Sequence, residues 1–378
     1  MYKSKNVIVS KVVIVGAGPA GISAALSLQT KGIETIVIDK AKFPRDKVCA
    51  GILTTEACTA LEKLGIDINN EELFYNPEIS RAYVDNVLVY QSFIKEPHRV
   101  TKRILFDNML VEKYKSNGGV IIEGAEVKEV TDNYVKLDNG NVVYFKYLIG
   151  AGGAMCPVMK YLNPEQKMDY VYFMSTCVDK EAITFKSPKF KGDGMNAYFR
   201  TDSYGYAAIV PFKDEFIVGG CDYKNRFDLQ RKVVNEMVDT KLYAAPVIQS
   251  LPNIRYKDNI YLIGESAGYV DFITCEGISF ALNSGIKIAD VISNDLGNVG
   301  YVKLFKEEVG RAKNGRLFSS ILFNKHTLNM VKKHYYKNYQ VIDYAYRNSI
   351  ITHKYKYWKF GKFTIKMLFN KLLDMLSR

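Results

Sequence analysis

The residues best spaced to do chemistry lie near the N-terminus, where Gly16-Ala17-Gly18-Pro19-Ala20-Gly21 forms a G-x-G-x-x-G run. Val12-Val13-Ile14-Val15 precedes it, a β-branched stretch that predicts a buried parallel strand. A helical pattern follows, with Ile22, Ala25, Leu26 and Leu28 on one side. Gly32 ends that helix, and Ile33 to Ile38 predicts a second strand closed by Asp39. In this setting Gly16 permits the tight turn, Gly18 lets the backbone approach a pyrophosphate, and Gly21 lets helix and strand pack closely. The helix N-terminus offers free N–H groups and a positive dipole end to phosphates. Asp39, 18 residues after Gly21, is placed to accept hydrogen bonds from a ribose diol. A lone glycine run could be only a turn, but strand, helix, second strand and acid fall in register here. The pattern predicts a dinucleotide site without separating FAD from NAD.

The distal part of the chain repeats the arrangement. Asn259 to Ile263 reads as another buried strand, and Gly264-Glu265-Ser266-Ala267-Gly268 and Thr274-Cys275-Glu276-Gly277-Ile278 follow it. A helix is then predicted over about 279–292. A second helix N-terminus suited to anions suggests an extended ligand with several polar segments, as FAD is, although an ordinary βα turn would show the same spacing.

Several of these segments resemble known motifs. Gly264 to Gly268 is similar to the G-D-A-A-G motif of p-hydroxybenzoate-hydroxylase-like flavoproteins, whose acid binds the ribityl chain. Thr274 to Ile278 resembles the T-G-E-G-I of the geranylgeranyl reductase family. Phe43 to Gly51 is similar to that family's F-P-R-x-K-x-C-G-G loop, which passes the flavin ring. Arg103-Ile104-Leu105-Phe106-Asp107 with Leu110 resembles its R-x-x-F-D-x-x-L helix start, and Tyr204 to Phe212 its substrate-sheet motif. The matches run in the family's order from about residue 10 to 290.

The resemblance implies FAD as cofactor. It implies a site built from Gly16, Gly18, Ala20, Gly21, Asp39, Lys40, Cys49, Ala50, Gly51, Arg103, Val127, Gly264, Glu265, Ala267, Gly268, Gly277 and Ile278, with Tyr204, Tyr206, Pro211 and Phe212 toward the substrate. It further implies saturation of carbon–carbon double bonds in an isoprenoid or prenyl-lipid substrate by hydride from reduced flavin. An unactivated alkene offers no oxyanion, so the protein must align it, exclude water and deliver a proton. Cys49 is singled out for that chemistry, against the alternative of a small buried hydrophobe. Cys49 and Cys275 are both expected to approach the flavin, which makes them a candidate reversible disulfide.

The chain also departs from the family pattern. Gly152 stands where the family carries an acid linked to both FAD and pyridine-nucleotide use, which leaves the electron donor open between NADPH and a ferredoxin-like protein. Glu265 replaces Asp, and Cys275 and Ala50 each replace Gly. A flavin monooxygenase acting on a hydrophobic small molecule and a flavin-binding protein without turnover are the alternatives. The halogenase signature W-x-W-x-I-P is missing, since the single tryptophan is Trp358.

The elements that must hold these residues predict an α/β chain. A Rossmann-like three-layer FAD-binding domain is assembled discontinuously from residues 1–75, 100–165 and 255–300. Residues 76–99 and 166–254 form an inserted, mostly antiparallel substrate sheet, and 301–378 a basic, aromatic-rich helical region. Alternation over Arg81 to Tyr90 predicts strand, and Asp138-Asn139-Gly140-Asn141 a hairpin turn.

Six scattered cysteines without a C-x-x-C pair argue against a zinc ribbon or a disulfide scaffold and predict a reducing compartment. Four histidines, no two within a helical turn, predict no metal site. The first 20 residues superficially resemble an export signal, but their glycines are explained by the nucleotide turn. Tyr301 to Arg378 holds 17 Lys and Arg against 4 Asp and Glu. That segment therefore carries +13 of a net +12, and the rest of the chain carries −1. Ile365, Leu368, Phe369, Leu372 and Leu376 predict an amphipathic helix there, which packs either on the body or on an anionic membrane surface. The expected location is cytoplasmic, at the inner face of the membrane if the tail binds lipid, with no role for nucleic acid.

Overall fold

The computed structural model describes residues 2–4, 6–181, 194–224, 231, 234, 240–336 and 339–347. Two large sheets dominate it. In the first, the strands run in the order Tyr256–Lys257, Ile260–Leu262, Val142–Gly150, Val7–Val15, Thr35–Asp39 and Val120–Glu123. Every neighbour from Ile260–Leu262 to Val120–Glu123 is parallel. Val12, Val13, Ile14 and Val37 are fully buried, as strands covered on both faces require. The chain leaves Val142–Gly150 antiparallel to Tyr134–Leu137, and the turn predicted at Asp138–Asn141 joins them.

Helices Pro19–Gln29 and Ile278–Ser293 lie side by side on one face of this sheet. Small residues set their separation: a Cβ on Gly285 would sit 2.6 Å from the Ala24 amide nitrogen. The Ser23 hydroxyl donates to the Leu282 carbonyl at 2.7 Å across the same contact. Helix Pro19–Gln29 is buried nearly all round rather than on the single face its sequence pattern predicts.

The second sheet has seven strands, in the order Tyr243–Ile248, Tyr170–Asp179, Glu215–Asp222, Gly205–Phe212, Met195–Phe199, Ile79–Val84 and Val87–Phe93. All pairings are antiparallel except Met195–Phe199 with Ile79–Val84. The strands expected over Arg81 to Tyr90 are Ile79–Val84 and Val87–Phe93. Asp85 and Asn86, at φ 45° and 65°, form a two-residue turn of the kind that matches the twist of a hairpin. The fold is thus α/β, a Rossmann-like layered unit carrying a mostly antiparallel second sheet.

Helices follow from Gly297 onward. Helices Lys325–His334 and Tyr339–Tyr346 pack on the last two strands of the second sheet. Lys332 pairs with Asp85 at 2.6 Å and Arg347 with Glu96 at 2.7 Å. The Tyr90 ring lies 4.6 Å from that of Tyr346 and its hydroxyl donates to Asp343. The amphipathic stretch expected over Ile365 to Leu376, and Trp358, lie outside the described residues.

Candidate active site

A cavity of about 390 Å³ opens between the two sheets. On the Rossmann-like side, the strand Val7–Val15 ends at Gly16, whose φ of +111° suits glycine and whose Cβ would lie 2.5 Å from the Ala151 carbonyl. Gly18 caps the next helix without a side-chain hydrogen bond, so the first N–H groups of Pro19–Gln29 are left for a ligand. A Cβ on Gly18 would meet only Arg45 Nη2, at 3.7 Å, which leaves the approach to the backbone open. Asp39 Oδ2 accepts from the Ala17 amide at 2.7 Å and Oδ1 from Ala41 at 2.8 Å. Each carboxylate oxygen keeps lone-pair capacity for a ribose.

The second helix N-terminus reaches the same cavity. Gly277 and Ile278 line it, and Glu276 turns away to accept from the Ser279 amide and hydroxyl, both at 2.7 Å. Two helix ends, two glycine turns and a carboxylate on one cavity fit an extended dinucleotide, and FAD would lie with its phosphates against Gly18 and Pro19.

Most predicted cofactor residues meet here: Gly16, Gly18, Ala20, Asp39, Lys40, Cys49, Ala50, Arg103, Glu265, Gly277 and Ile278 line the cavity. Gly21, Gly51, Gly264, Ala267 and Gly268 stand behind the wall. A Cβ on Gly21 would lie 1.8 Å from the Gly16 carbonyl oxygen, so its role is close packing of turn and helix. Val127 is buried in the core on strand Val127–Val130 and is not among the lining residues.

On the substrate side the expected residues are divided. Tyr206 lines the cavity and its hydroxyl donates to the Thr274 carbonyl, but Tyr204, Pro211 and Phe212 do not line it. Strand alternation explains part of this: Tyr206, Ala208 and Val210 face the cavity while Ala207, Ile209 and Pro211 face away. Phe212 shares the cavity-side parity but packs beyond the rim with Val100 and Ile217. The wall is completed by residues that motif reading did not single out, Phe173, Met195, Val247 and Val270, with Tyr346 from the last described helix. The only sequence signal of Phe173, Met195 and Val247 is alternation within strands, which does not say which face meets a ligand.

Arg103 opens helix Arg103–Ser116 and forms a bidentate pair with Asp107, both bonds at 2.7 Å. Arg45 Nη2 approaches the same carboxylate at 3.1 Å. Burial alone would lower the Arg103 pKa, but the Asp107 charge holds it above its ordinary value, with a lesser contribution from Cys49. The Cys49 amide donates to Ser175 Oγ at 3.1 Å, which ties the loop to the second sheet, and the Gly51 amide donates to Cys49 Sγ at 3.4 Å.

Glu265, longer by one methylene than the aspartate of the motif it resembles, accepts from the Ile248 amide at 3.2 Å and meets Lys47 at 3.5 Å. Gly152 lines the cavity against Cys156, whose atoms would lie 3.2 to 3.3 Å from an added Cβ. Cys275 does not have Cys49 as its thiol neighbour. Its sulfur lies 3.8 Å from that of Cys221, on strand Glu215–Asp222, and all three are free cysteines.

Fold and site together define a flavin-dependent oxidoreductase with FAD as its cofactor. Residues 9–241 match the family model described as FAD binding domain, and the chain belongs to that family, in its geranylgeranyl-reductase-like branch. It is 30% identical over 307 residues to an uncharacterised protein of Methanosarcina barkeri, covering 75% of each chain. It is 25% identical to the digeranylgeranylglycerophospholipid reductase of Methanococcus vannielii, covering 78% of this chain and 79% of that one. Among solved structures, a geranylgeranyl bacteriochlorophyll reductase-like protein of Thermoplasma acidophilum superposes with a TM-score of 0.70. The identity is 19%, covering 86% of this chain and 92% of that one. PqsL of Pseudomonas aeruginosa, bound to 2-aminobenzoylacetate, reaches the same TM-score at 14% identity, covering 85% and 99%. At these identities the two structures show a shared fold.

Proposed function

We propose that this oxidoreductase saturates carbon–carbon double bonds in the chain of an isoprenoid or prenyl-lipid substrate. The observation that carries the reading is how charge is divided across the cavity. Asp39, Lys40, Arg45, Lys47, Arg103, Glu265 and Glu276 all belong to the nucleotide side. The second sheet contributes Phe173, Met195, Ala197, Ala208, Val210 and Val247, and no charged side chain among the described lining residues. Such a wall accepts a hydrocarbon chain and excludes water, which an alkene with no polar handle needs. The reductase names among the relatives support the same substrate class.

Reduced FAD supplies the hydride when bound. In this reading Cys49, held by Ser175 and Gly51 where the two sides meet, carries the proton that completes saturation. Either NADPH or a ferredoxin-like protein supplies the electrons.

The test is anaerobic. The flavin is reduced with NADPH or, failing that, dithionite, then mixed with geranylgeranyl-bearing lipid while its absorbance is followed. Flavin reoxidation with a product heavier by two hydrogens is expected. No reoxidation by the lipid, followed by reoxidation with a hydroxylated product once oxygen is admitted, overturns the reading in favour of a monooxygenase. Cys49→Ala is expected to keep FAD and slow lipid-driven reoxidation by roughly 10²-fold or more, the usual contribution of a positioned proton donor.

The basic C-terminal region has a place in this reading as a contact with an anionic membrane. Leu296, Val299 and Val302, three residues apart, expose apolar side chains around helix Gly297–Leu304, Val299 being 81% exposed, and Lys303 lies beside them. Among the described residues no helix is long and apolar enough to cross a membrane. Co-sedimentation is expected to favour vesicles containing phosphatidylglycerol over phosphatidylcholine alone by about tenfold or more, weakening in high salt. Equal partitioning to both vesicle types would exclude this contact.

A further inference from the structure

Cys221 and Cys275 come from distant parts of the chain and meet at the cavity wall, 3.8 Å apart at sulfur. Cys221 is fully buried on strand Glu215–Asp222, opposite Phe173 on one neighbour and Tyr206 on the other. Cys275 lines the cavity two residues before Gly277, where the second helix offers its N-terminus to the cofactor. Its loop is held firmly. Asp271 Oδ1 accepts from the amides of Ile273 and Thr274, and the Cys275 amide donates to the Asp271 carbonyl at 2.9 Å. The Tyr223 hydroxyl donates to the Ile273 carbonyl at 2.7 Å and sits 3.3 Å from Cys275 Sγ.

Cys275 also has φ +57°, a left-handed conformation that favours glycine. A side chain kept at such a position, against a second sulfur and on the wall of a redox site, points to use of that side chain rather than to filling of space.

We propose that Cys221 and Cys275 form a second redox centre beside the flavin, a dithiol–disulfide couple that exchanges two electrons with it. Closing the bond breaks two S–H bonds, forms one S–S bond and releases two electrons and two protons. Oxidised FAD takes both electrons and one proton, and the second proton passes to solvent through the cavity. Run in reverse, the reduced cofactor reopens the bond. Burial pushes the Cys221 thiol well above its ordinary pKa, so in the open form it is a neutral thiol shielded from solution oxidants. Cys275, partly exposed to the cavity, is the member within reach of the cofactor.

The couple rests on FAD binding and does not require isoprenoid reduction, so the two readings are tested separately. The FAD-loaded full chain, equilibrated with air, is alkylated in denaturant and analysed by mass spectrometry before and after anaerobic dithionite titration. Of the six cysteines, four are expected to react before reduction and all six after it, with the missing pair mapping to Cys221 and Cys275. The titration should consume four electrons per flavin in the parent protein and two in Cys221→Ser or Cys275→Gly. The second variant relieves the backbone rather than straining it, and an unchanged flavin spectrum checks its fold. Six reactive thiols in the oxidised holoprotein with two electrons per flavin, or a bond between any other pair, would overturn the proposal.

Discussion

Gly18 and Gly21 are three residues apart in one motif and act differently. An added methyl at Gly21 collides with the Gly16 carbonyl at 1.8 Å, whereas at Gly18 the nearest atom is the end of Arg45 at 3.7 Å. Gly21→Ala should therefore cost about 1–3 kcal/mol or more and lose FAD, because the turn must deform. Gly18→Ala should leave the melting temperature of the FAD-free protein nearly unchanged while lowering flavin content, since the methyl occupies only the phosphate approach. Flavin-to-protein absorbance ratio and thermal unfolding, measured on both variants, separate the two effects. At Arg103 the issue is charge. Arg103→Met would leave the fully buried Asp107 with Arg45 as its remaining close cation, an imbalance that typically costs roughly 3–5 kcal/mol. Adding Asp107→Leu should recover most of that loss in denaturant titration, and failure to recover it would show that the arginine acts through packing instead. The glycine roles were legible because a turn is local, whereas the motif at Arg103 marked the arginine without showing its pair with Asp107. The Lys47–Glu265 pair, with partners 218 positions apart, has no local signature.

At the scale of elements, the last described helices fasten to the second sheet through groups that titrate. Burial alone would raise the Asp85 pKa, but hydrogen bonds from Lys332 and Thr201 hold it below its ordinary value. Glu96 is lowered in the same way by Arg347. A carboxylate with a depressed folded-state pKa contributes stability in full above its unfolded value, and that contribution fades as pH falls through the folded one. Docking of helices Lys325–His334 and Tyr339–Tyr346 should thus hold at neutral pH and loosen below about pH 4.5. Asp85→Asn with Glu96→Gln should weaken docking at neutral pH and flatten its acid dependence, read by limited proteolysis across pH. An unchanged acid profile in the double variant would place the sensitivity elsewhere. Because Tyr346 lines the cavity from this clamp, loosening it also opens one wall of the site. The turn at Asp138–Asn141 was legible from its Asn-Gly pair, whereas Asp85-Asn86, with no glycine, is unmarked between two strand-forming runs. Pro211 and Phe212 lie off the cavity wall, and a motif that names a strand does not say where along it the cavity ends.

At the scale of the molecule, charge and topology were legible to different degrees. The imbalance of the C-terminal region was countable directly. The α/β class followed from strand–turn–helix order, and the helical C-terminal region was expected from composition. The cavity itself was harder to foresee, because its walls are drawn from residues between Gly16 and Tyr346 and depend on two sheets meeting. The central strand Val7–Val15 is made first, yet its partners in the sheet include Val142–Gly150, which in turn pairs with Ile260–Leu262. The helix that lies against Pro19–Gln29 ends only at Ser293. A chain emerging from the ribosome therefore spends most of its synthesis with its nucleotide turn built but unsupported, exposing apolar strand edges that invite wrong pairings. At ~5–20 residues per second that interval lasts on the order of ten seconds or more. The antiparallel sheet, made largely from neighbours in sequence, can form meanwhile. The cofactor arrives last, and free FAD in the cell would act on this protein as much by completing its folding as by equipping it for redox work.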